Sequence, residues 1–178
     1  VQEARAACAA GATLAFDTET TGLNPVSAAL CGVSLAHQPD QAVYIPVRSP
    51  QPETHLGQEQ VVELLRPLLE DPAVRKTAHN AKFDLVVLRA AGVRVQGLAG
   101  DSMIASYLLD STRGTHKMDA LSEALLNHRC IPITDLIGSG KHQRTFDQAP
   151  LELAAPYAAE DADVPLRLQR LLEPQLAA

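Results

Sequence analysis

The stretch that decides the fold is LAFDTETTGL, residues 14–23. Its apolar start predicts a buried strand, and two acids, Asp17 and Glu19, come where that strand ends. Residues two apart in a strand point to the same side, about 6.6 Å apart, so we expect both carboxylates to face one spot. Such a pair suits a hard cation, but a polar strand end that runs into a turn explains the same residues equally well.

Acidic residues recur in two later segments, HNAKFD (79–84) and YAAEDAD (157–163). Asp84 falls just after a predicted strand and at the start of a helix, where an acid also interacts favourably with the helix dipole. Tyr157 and Asp161 are four residues apart and therefore share a helical face, on which a phenol and a carboxylate can hold one water. The alternative for this pair is a tyrosine packed on the core beside a solvated acid.

The composition predicts a single domain over residues 1–178. Apolar residues make up 46% of the chain, charged residues 20% and aromatic residues 3%, which fits one core built mainly from aliphatic side chains. No apolar run approaches the roughly 20 residues needed to cross a bilayer, and the start lacks the pattern of a signal peptide. We expect a soluble, cytoplasmic protein and, because the chain does not begin with methionine, a piece of a longer one.

The formal net charge of −6 argues at first against a nucleic-acid partner, since such binding rests on lysine and arginine at phosphates. A site that binds through cations needs acidic groups, however, and the cations then present positive charge to the phosphate. The cysteines, Cys8, Cys31 and Cys130, are widely spaced and contain no CxxC pair, and the histidines show no ligand spacing. This pattern predicts free, buried thiols and does not by itself suggest zinc or redox chemistry.

Periodicity predicts the secondary structure. Short apolar runs bounded by turn residues predict strands at 12–16, 29–36, 42–47, 75–79 and 93–98. Apolar residues at helical spacing predict helices at 58–69, 83–91, 102–109, 119–128 and 150–172. We expect 131–146 to be a loop, and Pro156 to mark the start or a bend of the last helix. This order predicts an α/β fold with a mixed central β-sheet, whose first strands form an antiparallel meander, flanked by α-helices.

Together these motifs resemble the DEDD superfamily of 3′–5′ exonucleases, in its tyrosine-containing branch, which has a ribonuclease H-like fold. The likeness is carried by FDTET (16–20), HNAKFD and YAAEDAD. Three segments without catalytic groups, DSMIASYLL (101–109), HKMDALSE (116–123) and GSGKHQRTF (138–146), also resemble the proofreading domains of bacterial DNA polymerase I. The similarity covers nearly the whole chain.

The resemblance implies a catalytic role for each matching residue. Asp17, Glu19 and Asp161 would bind a first divalent cation, and Asp17 would bridge to a second one that Asp84 holds directly or through water. Tyr157 and Glu19 would orient the attacking water. The cations would be two Mg²⁺, with Mn²⁺ able to substitute, because every proposed ligand atom is oxygen.

The resemblance also implies substrate contacts at Thr18, Leu23, Asn80 and Phe83. Leu23 would be a wedge between the last bases, and Asn80 would contact the nucleotide next to the scissile bond. Without the resemblance, Leu23 is a turn residue tucked into the core and Asn80 is the N-cap of the next helix. Phe83 replaces a tyrosine of some relatives, and Ile133 stands where relatives can have an aromatic residue.

The implied function is removal of nucleoside 5′-monophosphates from single-stranded or frayed DNA 3′ ends during proofreading. The partners would be that DNA end and a polymerase domain in the full-length chain, in the bacterial cytosol or nucleoid, with no membrane. Two alternatives stay open: a free-standing exoribonuclease similar to ribonuclease D, and an inactive module that binds single strands or braces a polymerase. The segment 137–146, with Lys141, His142 and Arg144, is either a contact to the nucleic-acid backbone or a solvated loop.

Overall fold

A computed structural model describes residues 1–177 and places five strands in one sheet, in the order β3-β2-β1-β4-β5. The strands are β1 (Leu14–Thr20), β2 (Leu30–Gln38), β3 (Gln41–Pro46), β4 (Lys76–Ala78) and β5 (Leu98–Asp101). β2 is antiparallel to both β1 and β3, whereas β4 is parallel to β1 and β5. The predicted mixed sheet and its antiparallel meander are confirmed.

Within residues 1–177, seven α-helices accompany the sheet: α1 (Gln2–Ala9), α2 (Gln58–Leu69), α3 (Ala81–Ala90), α4 (Ser102–Leu109), α5 (Met118–Leu121), α6 (Ile133–Ile137) and α7 (Leu151–Leu176). A π-helical turn, Ser122–Leu126, follows α5 directly. Three short 3₁₀ turns lie at Pro52–Thr54, Gly140–His142 and Phe146–Gln148. Among the described residues, no helix combines the length and the hydropathy that a membrane span requires.

Side chains alternate across β1 and assign its two faces. Leu14 and Phe16 are fully buried in the main core, which contains the apolar residues of α2 and α3. Ala15 lies on the other face, in a small cluster with Ala162 and Leu166 of α7. Because side chains of a strand alternate, this register determines what the two acids that follow can meet.

The structure corrects several predicted elements. The last strand is β5 and not 93–98, because the chain turns at Gly97, which has φ +70°. A Cβ at this position would collide with backbone carbonyls of the loop before β4. The predicted loop 131–146 contains α6, and the N-terminal helix α1 was not predicted. The predicted helix 119–128 is split into α5 and the π-helical turn.

Proline does not start α7. The helix begins at Leu151 and continues for 26 residues through Pro156 and Pro165. Each proline removes one backbone donor, but α7 packs along β1, β2 and β3, and most helical stability comes from such packing rather than from intrinsic propensity. A start at Pro156 was therefore the wrong alternative.

Asp101, at the end of β5, connects two helix starts. Its Oδ1 accepts the backbone N–H groups of Asn80 and Met103, and its Oδ2 accepts that of Ala81. A longer bond from Ile104 completes the set at 3.3 Å. One carboxylate thus satisfies backbone donors at the N-termini of both α3 and α4, and α3 carries Asp84.

Replacing Asp101 by alanine should lower the free energy of unfolding by about 2 kcal/mol, because two helix N-termini lose their acceptor. Urea denaturation followed by circular dichroism would measure this. Asp110→Ala is the matched control, since Asp110 is exposed and its side chain binds only Thr112, and we expect a change within about 0.5 kcal/mol. Equal effects of the two substitutions would contradict the capping role.

Candidate active site

A cleft of about 1010 Å³ lies at the end of β1 and is lined by parts of all three acidic motifs. The lining includes every residue that the sequence predicts for the site: Asp17, Thr18, Glu19, Leu23, Asn80, Phe83, Asp84, Tyr157 and Asp161. Segments far apart in the chain meet here because β1 is central in the sheet, with α3 on one face and α7 on the other. The predicted residues therefore share one open pocket.

Asp17, Glu19 and Asp161 form the centre of the cleft. Each offers a carboxylate oxygen, and these oxygens all lie within 4.8 Å of one another. Glu19 and Asp161 are only 9% and 8% exposed, and Glu19 Oε1 is buried without a hydrogen-bond partner. Within residues 1–177, none of the salt bridges involves these three acids. An unpaired buried carboxylate is costly, and a hard cation is the partner that fits an all-oxygen set.

Asp84 lies on the other side of β1 and is fixed by Thr18. Its Oδ1 accepts the backbone N–H of Thr18 at 2.9 Å and the Thr18 hydroxyl at 2.6 Å. Asp84 is 2% exposed and does not belong to the group of oxygens within 4.8 Å. Its partner is thus a strand residue 66 positions away, and Asp84 also lies in the first turn of its own helix. Thr18, predicted as a substrate contact, lines the cleft and also positions Asp84.

The four acids hold protons far more tightly than free carboxylates do. Burial raises the pKa of Asp84 and of Asp161 to about 7, and bonds from Thr18 and from Tyr157 respectively moderate these rises. Burial also raises the pKa of Asp17 and of Glu19 well above the usual range, and repulsion from the neighbouring acids adds to it. The site without cations therefore favours protons near neutral pH, and a bound cation would displace them.

An aromatic column supports Tyr157 from behind. The ring of Tyr157 lies 6.0 Å from that of Phe146, which lies 6.2 Å from that of Tyr44. Tyr44 covers Gly32, where any Cβ would collide with its ring. Gly32 pairs with Glu19 across β1 and β2. The column was not predicted; the signal for it was Phe146 in GSGKHQRTF and the glycine inside a strand, which marks a close approach.

The predicted substrate residues can now be compared with their structural alternatives. Leu23 is 96% exposed, so the alternative prediction that it is tucked into the core is wrong. Asn80 occupies the N-cap position of α3, but it has φ 59° and its side chain makes no capping bond. Phe83 and Ile133 are half-buried on the cleft wall. Each of these side chains is thus placed where a ligand in the cleft would meet it.

Positive charge at the cleft comes from two places. Of the basic residues in segment 137–146, only Arg144 lines the cleft, whereas Lys141 and His142 do not. Lys117, the N-cap residue of α5, also lines the cleft and was not predicted from the sequence. Its signal was its place in HKMDALSE, a segment of the resemblance without catalytic groups.

The fold defines the class of protein. Brucella melitensis NrnC with bound Mg²⁺ is similar with a TM-score of 0.67 and 26% identity, over 93% of this chain and 73% of that one. The catalytic core of RRP6 from Trypanosoma brucei is similar in fold, with a TM-score of 0.71 and 15% identity, over 99% of this chain and 44% of that one. The predicted ribonuclease H-like fold, with a mixed sheet flanked by helices, is confirmed.

The chain belongs to the 3′–5′ exonuclease family, which it matches over residues 1–177. DNA polymerase I of Pseudomonas aeruginosa is 44% identical over 170 residues, which is 93% of this chain and 18% of that protein. DNA polymerase I of Chloroflexus aurantiacus is 47% identical over 164 residues, 92% of this chain and 17% of that protein. The chain thus spans less than a fifth of these relatives, and the predicted resemblance to the exonuclease domain of DNA polymerase I is confirmed.

The raised pKa of Asp161 predicts a pH-dependent stability. A carboxyl whose pKa is higher in the folded than in the unfolded protein lowers the free energy of unfolding as pH rises. The loss begins near the pKa of the unfolded state, about 3.9, and is complete above the pKa of the folded state. In EDTA at pH 8, Asp161→Asn should therefore raise the free energy of unfolding by about 1 kcal/mol or more, and the gain should vanish at pH 4.

Urea titrations across this pH range would measure that gain. Glu152→Gln is the control, because Glu152 is exposed on the same helix and its change should stay within about 0.5 kcal/mol. A pH-independent effect of Asp161→Asn would contradict the assigned pKa.

Gly32→Ala should lower the free energy of unfolding by about 1–3 kcal/mol, because the added methyl overlaps the Tyr44 ring. Gly114→Ala is the matched control, since nothing lies within 4 Å of a Cβ at that position. Thermal and urea denaturation of both variants would measure the difference. If Gly32→Ala were neutral, the column would not be rigid behind Tyr157.

Proposed function

We propose that this chain removes nucleoside 5′-monophosphates from single-stranded or frayed DNA 3′ ends, using two divalent cations. The observation that carries the proposal is the group of Asp17, Glu19 and Asp161, in which Asp17 is half-buried and the other two are buried. Within residues 1–177, none of these acids forms a salt bridge. Membership of the 3′–5′ exonuclease family gives the reaction class. The DNA substrate is favoured by relatives named DNA polymerase I.

The residues fit two cation sites. Asp17, Glu19 and Asp161 would hold one cation, and Asp17 with Asp84 would hold a second. All four acids line one cleft, but Asp84 lies outside the group of oxygens within 4.8 Å, which supports two sites rather than one. Mg²⁺ is the proposed ion, because every ligand atom is oxygen. When bound, the cations would supply positive charge to the scissile phosphate and acidify an attacking water.

Tyr157 contributes a fixed hydrogen-bond donor. Burial raises the pKa of its phenol far above the usual value, and the negative charge of Asp161 and Glu19 adds to the rise. Tyr157 therefore keeps its proton at neutral pH, and without cations it donates this proton in a hydrogen bond to Asp161. With a cation on Asp161, the phenol would instead donate to the attacking water, while Glu19 would accept from the same water. The two groups would set the direction of attack on the terminal phosphorus.

Leu23 and two basic side chains, Lys117 and Arg144, indicate how a DNA strand would lie in the cleft. An exposed leucine at the mouth of an acidic cleft can insert between the last bases, and unstacking costs only a few kcal/mol. Lys117 and Arg144 would bind phosphates of the same strand, which positions it without reading its sequence. Mispaired ends would be preferred because they are more easily unpaired.

We further propose that residues 1–178 form one exonuclease domain of a longer polymerase. The support is the length of the relatives, of which this chain covers 18% and 17%. A polymerase domain in the same chain would then supply the 3′ end. In that case the domain needs no extended basic surface of its own, which agrees with the net charge of −6.

The test is a matched pair of 3′-labelled single strands, one DNA and one RNA of equal sequence, incubated with Mg²⁺, Mn²⁺ or EDTA. We expect mononucleotide release from DNA with either metal and none with EDTA. An Asp17→Asn, Glu19→Gln variant should lose more than about 100-fold in rate. Even the loss of a residue that only hydrogen-bonds to a metal ligand costs up to about 100-fold, and this variant loses two of the proposed ligands themselves.

Preference for RNA would replace the DNA substrate by the ribonuclease alternative. Absence of release by the parent chain with either metal would favour the inactive binding module. Activity that the double variant retains would contradict the assigned cation site.

The proposed path of the DNA strand past Lys117 and Arg144 predicts a second result. Lys117→Ala and Arg144→Ala should each weaken binding of single-stranded DNA and reduce the slope of log affinity against log salt by about 0.7. Lys141→Ala is the matched control, because Lys141 is in the same segment as Arg144 but does not line the cleft. Fluorescence anisotropy over a salt series, in Ca²⁺ to limit cleavage, would measure all three. Equal slopes for Lys141→Ala and Arg144→Ala would contradict the path.

A further inference from the structure

A second group of ligand-type side chains lies outside the cleft. His128, Cys130 and Glu160 offer a ring nitrogen, a thiol sulfur and a carboxylate oxygen, all within 4.8 Å of one another. His128 Nε2 lies 2.7 Å from Glu160 Oε1, and Glu160 Oε2 accepts the backbone N–H of Ile131 at 2.7 Å. No step of the proposed exonuclease reaction uses these three side chains.

The local fold brings the group together. The π-helical turn Ser122–Leu126 ends at Asn127, which has φ 51°, and the chain then turns toward α7. His128 N donates to the carbonyl of Ser122 at 3.2 Å, and Cys130 is 9% exposed. The Ser122 hydroxyl is buried beside the Cys130 thiol. π-helical turns often occur at functional sites because they place side chains that a regular helix cannot.

The group is accessible to solvent through its own cavity. A cavity of about 380 Å³ is lined by His128 and Glu160, whereas Cys130 is buried beside them and does not line it. The cavity shares no lining residue with the exonuclease cleft. The His128 side chain is 34% exposed and that of Glu160 is 12% exposed. A metal ion can therefore enter, and a water can complete its coordination.

The donor set selects the metal. Nitrogen, sulfur and oxygen ligands suit Zn²⁺ and its analogues, whereas Mg²⁺ takes oxygen ligands only. In a tetrahedral zinc site a nitrogen and an oxygen ligand are about 3.3 Å apart, so the His128 ring would move less than about 1 Å away from Glu160 Oε1, now at 2.7 Å. The Cys130 sulfur, which lies within 4.8 Å of both atoms, would approach them to about 3.5 Å.

We propose that His128, Cys130 and Glu160 bind one Zn²⁺, with water from the cavity as the fourth ligand. The ion replaces the hydrogen bond between His128 and Glu160, and Cys130 binds as a thiolate whose proton is released to solvent. The metal then connects the segment after the π-helical turn to α7, one residue before Asp161. Its effect is to stiffen the helix that presents a catalytic acid.

The test titrates the whole chain with Co²⁺ in saturating Mg²⁺ and follows thiolate-to-cobalt charge-transfer absorption in the near ultraviolet. We expect one equivalent of Co²⁺ to produce the band and Zn²⁺ to abolish it. Cys130→Ser should remove the band, whereas Cys8→Ser and Cys31→Ser should keep it, because within residues 1–177 neither of those buried thiols belongs to a group of three ligand-type side chains. His128→Gln is a second variant that should weaken Co²⁺ binding at least about 10-fold.

The same titration of the Asp17→Asn, Glu19→Gln variant separates this site from the exonuclease site. The band should survive there, and Zn²⁺ should raise the melting temperature of that variant but not of a triple variant that also carries Cys130→Ser. Absence of the band in the parent chain, or a band that survives Cys130→Ser, would overturn the proposal. Loss of nuclease activity in the double variant with the band intact would leave it standing.

Discussion

The structure depends on one constraint, which is that the carboxylates of Asp17, Glu19 and Asp161 lie within 4.8 Å of one another and form no salt bridge in the part of the chain that the structure describes. Like charges in a low-dielectric setting repel one another and favour protonation, as the raised pKa values show. The fold holds them together because β1 is packed on both faces, with the leucine-rich core on one side and α7 on the other. The packing of the central strand therefore holds the acidic side chains close together.

How much the sequence could predict depends on the range of the interactions. The alternation of β1 and the four-residue spacing of Tyr157 and Asp161 are local, and both placed their side chains correctly in one cleft. The position of β5 depends on how Gly97 meets a distant loop, and the bonds of Asp101 join two helices. Such pairings leave no periodic signal in one segment, so they could not be predicted from the pattern alone.

The same limit applies to the group around Glu160. Two of its members are two residues apart, but the third lies on α7, so no spacing in the sequence indicates it. Neighbouring residues of α7 therefore serve different sites: Asp161 faces the cleft, and Glu160 faces the segment that follows the π-helical turn. The acidity of the chain is in part the sum of these placed carboxylates, and the cleft itself also presents Lys117 and Arg144.

The most direct test of the central claim is a crystal structure of this chain grown with Mn²⁺ at pH 8, with the ions located by anomalous scattering. The account predicts one Mn²⁺ among the carboxylates of Asp17, Glu19 and Asp161, and a second between Asp17 and Asp84. Carboxylates that bind no ion at saturating Mn²⁺, or that are neutralised by a lysine or arginine side chain, would contradict it.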